Sequence, residues 1–121
     1  MTVFDSNAIL RYILQDNEEM ADLVEEQLGQ MDCFIPIEVV AEIVYVLNKV
    51  YSVQRQTISS AVLSILNLDR VETTNYDILT KGLEVYSATK LDFVDCLMSG
   101  YQSIGYRVFT FDKALRKYLE K

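Results

Sequence analysis

Four carboxylates, Asp5, Glu42, Asp95 and Asp112, are the side chains best placed to do chemistry in this chain. Asp5 closes the apolar run Thr2-Val3-Phe4, and Asp112 closes Arg107-Val108-Phe109-Thr110-Phe111. Glu42 and Asp95 fall in two stretches of helical character otherwise filled with apolar residues. Carboxylates gathered at the ends of buried strands repel one another and lose hydration unless a cation holds them. The expected partner is one or two hard divalent ions, Mg²⁺ or Mn²⁺, which take oxygen donors. Ions held this way can activate water and stabilise the leaving oxygen of a phosphodiester. Histidine is absent. That excludes Ser-His-Asp and Cys-His catalysis, His-ligated zinc and the usual base of metal-free ribonucleases.

Each acid also has a purely structural reading. Asp5 and Asp112 each precede a helix, where aspartate is a favoured N-cap. Asp92 with Asp95 imitates a capping box, and an acid is welcome in a first turn. Glu42 sits in Val39-Val40-Ala41-Glu42-Ile43-Val44, where it is either one residue of a narrow exposed stripe or part of a site. What favours the site is the joint pattern, one acid per βα unit at a shared rim of the sheet. Ser6, Asn7 and Thr110 adjoin two of the acids, as orienting hydrogen-bond donors or as ordinary caps.

The elements that must position these acids alternate as strand and helix. Thr2–Asp5, Cys33–Ile35, Val71–Thr73 and Arg107–Phe111 read as short strands. Helices are expected from Ser6 to Leu14, near Glu18–Gln30, over Ile37–Val50, Gln54–Leu66, Tyr76–Ala88 and Phe93–Ile104, and over Lys113–Leu119. In the second, Met20, Leu23, Val24 and Leu28 are expected inward. The third is apolar nearly all round, with one polar stripe of Glu38, Glu42, Tyr45 and Lys49 at helical spacing. Gly105 suits a left-handed cap. Strands separated by helices pair in parallel, and such sheets bind ligands at the carboxyl ends of strands. If the first and last strands are neighbours, ~4.8 Å apart, Asp5 and Asp112 project side by side.

A chain of 121 residues, half of them apolar, forms a single domain (1–121) with a real core. No apolar run approaches the ~20 residues needed to cross a bilayer, and no basic leader opens the chain, so a cytoplasmic protein is expected. Cys33 and Cys96 are expected to be buried free thiols. The net charge of −7 argues against a broad electrostatic platform for nucleic acid, though not against a nuclease whose acids are neutralised by metal. Arg11, Lys49, Arg55 and Lys90 are candidates for phosphate contacts. The late basic residues Arg107, Lys113, Arg116, Lys117 and Lys121 read first as a solvated helix face.

Four blocks carry a family resemblance: Val3-Phe4-Asp5-Ser6-Asn7-Ala8-Ile9-Leu10, Ile35-Pro36-Ile37-Glu38-Val39-Val40-Ala41-Glu42-Ile43-Val44-Tyr45-Val46-Leu47, Leu91-Asp92-Phe93-Val94-Asp95-Cys96-Leu97 and Val108-Phe109-Thr110-Phe111-Asp112-Lys113. In this order they resemble the blocks of PIN-domain nucleases, with the VapC-type toxins of toxin–antitoxin pairs the nearest likeness. The resemblance implies a three-layer α/β fold, a short central parallel sheet of about four strands flanked by helices. The family's fifth, edge strand would be missing, since the chain stops at Lys121. By resemblance, Asp5, Glu42, Asp95 and Asp112 form the acidic quartet that ligates Mg²⁺ or Mn²⁺ for single-strand RNA cleavage. Ser6, Asn7 and Thr110 match supporting polar positions, and Asp92 is auxiliary. The resemblance further implies a homodimer held in check by a small antitoxin, with Ile9–Leu14 and Ile37–Val50 as plausible contact helices. The competing reading is a non-catalytic PIN-like module acting through protein partners. A phosphatase with an aspartyl nucleophile is disfavoured, because the residue two beyond Asp5 is Asn7 rather than an acid.

Overall fold

Each strand passes the chain to helices, and three of the four expected strands assemble into a parallel sheet. The computed structural model describes residues 1–121. The order is β1 (Thr2–Val3), α1 (Ser6–Leu14), α2 (Glu18–Gln30), β2 (Cys33–Ile35), α3 (Ile37–Lys49), α4 (Arg55–Leu66), β3 (Val71–Thr73), α5 (Tyr76–Ala88), α6 (Phe93–Ser103) and α7 (Lys113–Leu119). The sheet runs β1-β2-β3, with Thr2 opposite Cys33 and Cys33 opposite Val71. The α/β class and the helix-flanked parallel sheet are as expected. β2 is central, and its Cys33 and Ile35 are buried among helices.

The core explains most helix faces. In α3, Val40, Ile43, Val44 and Leu47 are buried, while Glu38, Glu42, Tyr45 and Lys49 form the exposed stripe that the spacing predicts. Pro36 precedes α3, and its carbonyl accepts from the amides of Val39 and Val40. In α1, Ile9 and Leu10 are buried and Ile13 and Leu14 half-buried, so that helix spends its apolar face on the core. Helices α5 and α6 approach closely because glycine lines the contact. A Cβ on Gly82 would lie 2.9 Å from Leu97 Cδ2, and one on Gly100 would lie 2.5 Å from the Ile78 carbonyl oxygen. Buried Ser59 satisfies its hydroxyl by donating to the Leu83 carbonyl at 2.8 Å. Gly105 terminates α6 at φ +107, with its amide bonded to the Gln102 carbonyl.

Two expectations fail. In α2 the buried residues are Ala21 and Leu28, whereas Met20 and Leu23 face outward. Helical periodicity alone could not tell which flank of the stripe the core would reach. The larger correction concerns Arg107–Phe111, which joins no strand. Only its carboxyl end is tied locally, through Thr110. Thr110 Oγ1 accepts from the Asp112 amide at 3.0 Å, and the Thr110 carbonyl accepts from Arg116 Nη2 at 2.8 Å. Phe109 and Phe111 project into solvent, 87 % and 82 % exposed, and pack edge to face on each other. The sheet therefore has three strands, with β1 and β3 as its two edges; the β1 edge is open. The amides of Thr2 and Phe4 donate to the Asp32 and Phe34 carbonyls on the β2 side. Alternation turns the Val3 amide and carbonyl toward the open edge. Beside it lies a shallow groove of about 330 Å³ lined by Val3, Phe4, Ala8, Leu23 and Val24.

Candidate active site

Strand and helix ends deliver the acids, but not all to one point. Asp5 N-caps α1, its Oδ1 accepting from the Ala8 amide at 2.9 Å. Asp112 N-caps α7 in the same way, accepting from the Leu115 amide at 2.8 Å. Both capping readings thus hold as geometry, and each leaves a second carboxylate oxygen for another partner. Asp92 precedes α6 without capping it, so the capping-box reading of Asp92 and Asp95 is not realised. Asp95 occupies the first turn of α6 and is half-buried, while Glu42 stands on the exposed stripe of α3.

Electrostatics single out Asp95. Burial, followed by the charges of Asp112 and then Asp92, holds its carboxyl above the usual carboxylate range. These three acids therefore share one neighbourhood, brought together by α6 and by the turn into α7. Neither Asp5 nor Glu42 is among the charges acting on Asp95, and no three acids converge closely enough to form a complete ion cage. Segment 107–111 joins no strand, so Asp112 is not delivered by a strand of the sheet as the spacing predicts. Thr110 orients the Asp112 turn, whereas Ser6 and Asn7 lie in the first turn of α1 and take no comparable role.

The donors still suit a hard cation. They are all carboxylate oxygens, and a cation beside Asp95 would relieve both its crowding and its desolvation. Magnesium needs only one or two protein carboxylates when waters and a phosphate complete its shell. Asp95 and Asp112 are the pair that would hold it.

A cleft of about 540 Å³ opens from Asp92 and Asp95 between α3, α5 and α6. Tyr45, Lys49 and Lys90 line it, and its floor is set by Arg55. The Arg55 Nε donates to the Tyr86 carbonyl at 2.8 Å, Nη2 bonds the Leu91 carbonyl, and the guanidinium lies 3.6 Å over the Tyr86 ring. Arg55 is thus a fixed part of the wall. Arg11 is tied to Asp16 at 2.7 Å, which makes it a poor phosphate ligand. Tyr45, which its stripe marks only as polar, gains interest here because its neighbours across the cleft come from distant segments. The thiols of Cys33 and Cys96 are free and buried; burial is the main cause that pushes the latter up to about 11, so neither is a nucleophile.

The comparisons agree with the blocks. The family model described as PIN domain matches residues 2–121. The chain belongs to the PIN-domain family. It is 31 % identical over 104 residues to a VapC ribonuclease of Aquifex aeolicus (strain VF5), covering 82 % of this chain and 76 % of the relative. No solved structure matches significantly. No helix is long and apolar enough to cross a membrane.

Proposed function

We propose that the protein is a Mg²⁺- or Mn²⁺-dependent endoribonuclease, the toxin of a type II toxin–antitoxin pair acting in the cytoplasm. The observation that carries this reading is Asp95, a desolvated carboxylate crowded by Asp112 and Asp92 at the mouth of a cleft. An acid perturbed by burial and by neighbouring charges at a cleft is a candidate functional group. The relationship to a VapC ribonuclease supports RNA as the substrate, and the resemblance of the four blocks to VapC-type toxins suggests an antitoxin as the regulator. Asp95 and Asp112 hold the metal, and Asp5 and Glu42 complete the acidic set. Glu42, exposed and unpaired by any cation, is suited to take the proton of the attacking water. The bound ion supplies charge neutralisation for the incoming phosphate and a lowered pKa for water. Without it, the acids repel RNA.

The test is cleavage of structured RNAs by the purified chain in Mg²⁺, Mn²⁺ or EDTA. Cleavage in either metal and none in EDTA is expected; undiminished cleavage in EDTA overturns the mechanism. The absence of a three-acid cage favours a second reading, a non-catalytic module acting through protein partners. Calorimetry separates the two, because a module that only binds protein need not take up Mg²⁺ or Mn²⁺.

The proposal extends to a homodimer. The arm 107–111, with Phe109 and Phe111 exposed, fits the groove and the open edge of β1 on a second copy. Both arm ends are held in place, by α6 on one side and by the buried Leu115 of α7 on the other. Sedimentation velocity should show a dimer for the natural chain and a monomer for Phe109→Asp combined with Phe111→Asp. A dimer in both would place the interface elsewhere.

A further inference from the structure

The cleft at Asp95 does not end at its own walls. It runs over Asn48, Arg55 and Lys90 into a second, wider trough of about 760 Å³ lined by Ser52, Gln54, Gln56, Ser87 and Thr89. The three shared residues make one continuous path, open to solvent, with the acids at one end. Its chemistry changes along that path. Near Asp95 it offers Tyr45, 64 % exposed, and the ammonium groups of Lys49 and Lys90. The ion pairs of the chain join Arg11 to Asp16, Arg70 to Asp32 and Lys81 to Glu84, so neither lysine is neutralised by a carboxylate. Farther on, hydroxyl and amide side chains predominate. The floor is fixed, because Arg55 is bonded to two carbonyls and stacked on Tyr86.

An exposed ring, spaced lysines and a rigid, uncharged continuation match the needs of a flexible polyanion carrying flat bases. Stacking on an aromatic ring is tolerant of sequence, and lysines contact phosphates as point charges. The overall charge of −7 gives no broad basic face, so binding has to be concentrated where cations lack partners. We propose that this groove seats the single-stranded RNA that flanks the scissile bond. One base stacks on Tyr45, and Lys49 and Lys90 neutralise the phosphates on either side of it. The strand continues over Arg55 toward Gln54 and Gln56. This inference rests on the ribonuclease reading, since it supplies the substrate path for that site.

The test separates binding from chemistry. A fluorescein-labelled single-stranded RNA is titrated by anisotropy with the Asp112→Asn protein, in which turnover is blocked by a change outside the groove. In that background Tyr45→Ala should weaken binding about tenfold, and Tyr45→Phe should retain it. Lys49→Glu with Lys90→Glu should weaken it more than tenfold and reduce the salt slope by about two. Lys113→Glu with Lys117→Glu, on α7, should leave affinity unchanged. All these positions are exposed, and matching thermal melts confirm that the fold is retained. Equal affinity for groove variants and the parent overturns the proposal, as does an equal loss in the α7 control. Groove variants that bind RNA normally but lose an antitoxin would assign the path to a protein instead and also overturn it. Failure of the ribonuclease reading has a different signature: groove variants lose affinity, yet the natural chain cuts no RNA in Mg²⁺ or Mn²⁺.

Discussion

Asp95→Asn is expected to abolish RNA cleavage, by ~100-fold or more, while raising the stability of the metal-free protein at neutral pH. The activity loss follows from removing the charge that holds the cation and so the activated water. The stability gain follows from linkage. Asp95 has its folded pKa raised, by burial first and by Asp112 and Asp92 next. The folded state therefore binds its proton more tightly than the unfolded chain does. Stability is lost as pH rises through the window between the ordinary carboxylate value and the raised one. An asparagine cannot ionise, so it escapes that loss. Urea melts in EDTA at acid and neutral pH should show the variant matching the parent in acid and exceeding it near neutrality. A structural aspartate would show the opposite, with stability falling on substitution. An active Asp95→Asn enzyme would remove this residue from the mechanism.

Gly100→Ala is expected to destabilise the protein by roughly 2–3 kcal/mol, at the upper end of the cost of overpacking. The added methyl would meet a backbone oxygen, Ile78 O at 2.5 Å, which cannot rotate away as a side-chain tip can. Helix α6 must then lift off α5, and Asp95 lies on α6 little more than one turn earlier. Activity should therefore fall together with the urea midpoint. Gly29→Ala provides the contrast. Nothing lies within 4 Å of its added methyl, and it sits inside α2. There, in the last turn of α2, the helical preference for alanine should stabilise by no more than about 0.5 kcal/mol. If the two substitutions proved equal, the α5–α6 approach would not be the constraint inferred here.

Much of the architecture is legible without coordinates. The boundaries of β2, β3, α5 and α7 follow from apolar runs and their flanking turn or cap residues. The stripe of α3 follows from 3.6-residue spacing, and the cap at Gly105 from the backbone freedom of glycine. The acids were found by type and position, since an aspartate after a buried strand is conspicuous whether it caps or ligates. The groove was not legible as a unit. Tyr45 and Arg55 come from two helices and Lys90 from the loop between α5 and α6, and Arg55 reads as a surface charge until its bonds to the Tyr86 and Leu91 carbonyls are seen.

What the amino-acid order determined by itself was local: helices, strands, caps and the inventory of carboxylates, because these depend on neighbours a few residues apart. Only the tertiary structure decided which carboxylates meet. Five β-prone residues before Asp112 could pair with β1 or remain apart, and local patterning is satisfied either way. That segment joins no strand, Leu115 is buried behind it, and the charge of Asp112 acts on Asp95. Strand pairing is a long-range choice made by competing partners for the same backbone groups, and periodicity does not record its outcome.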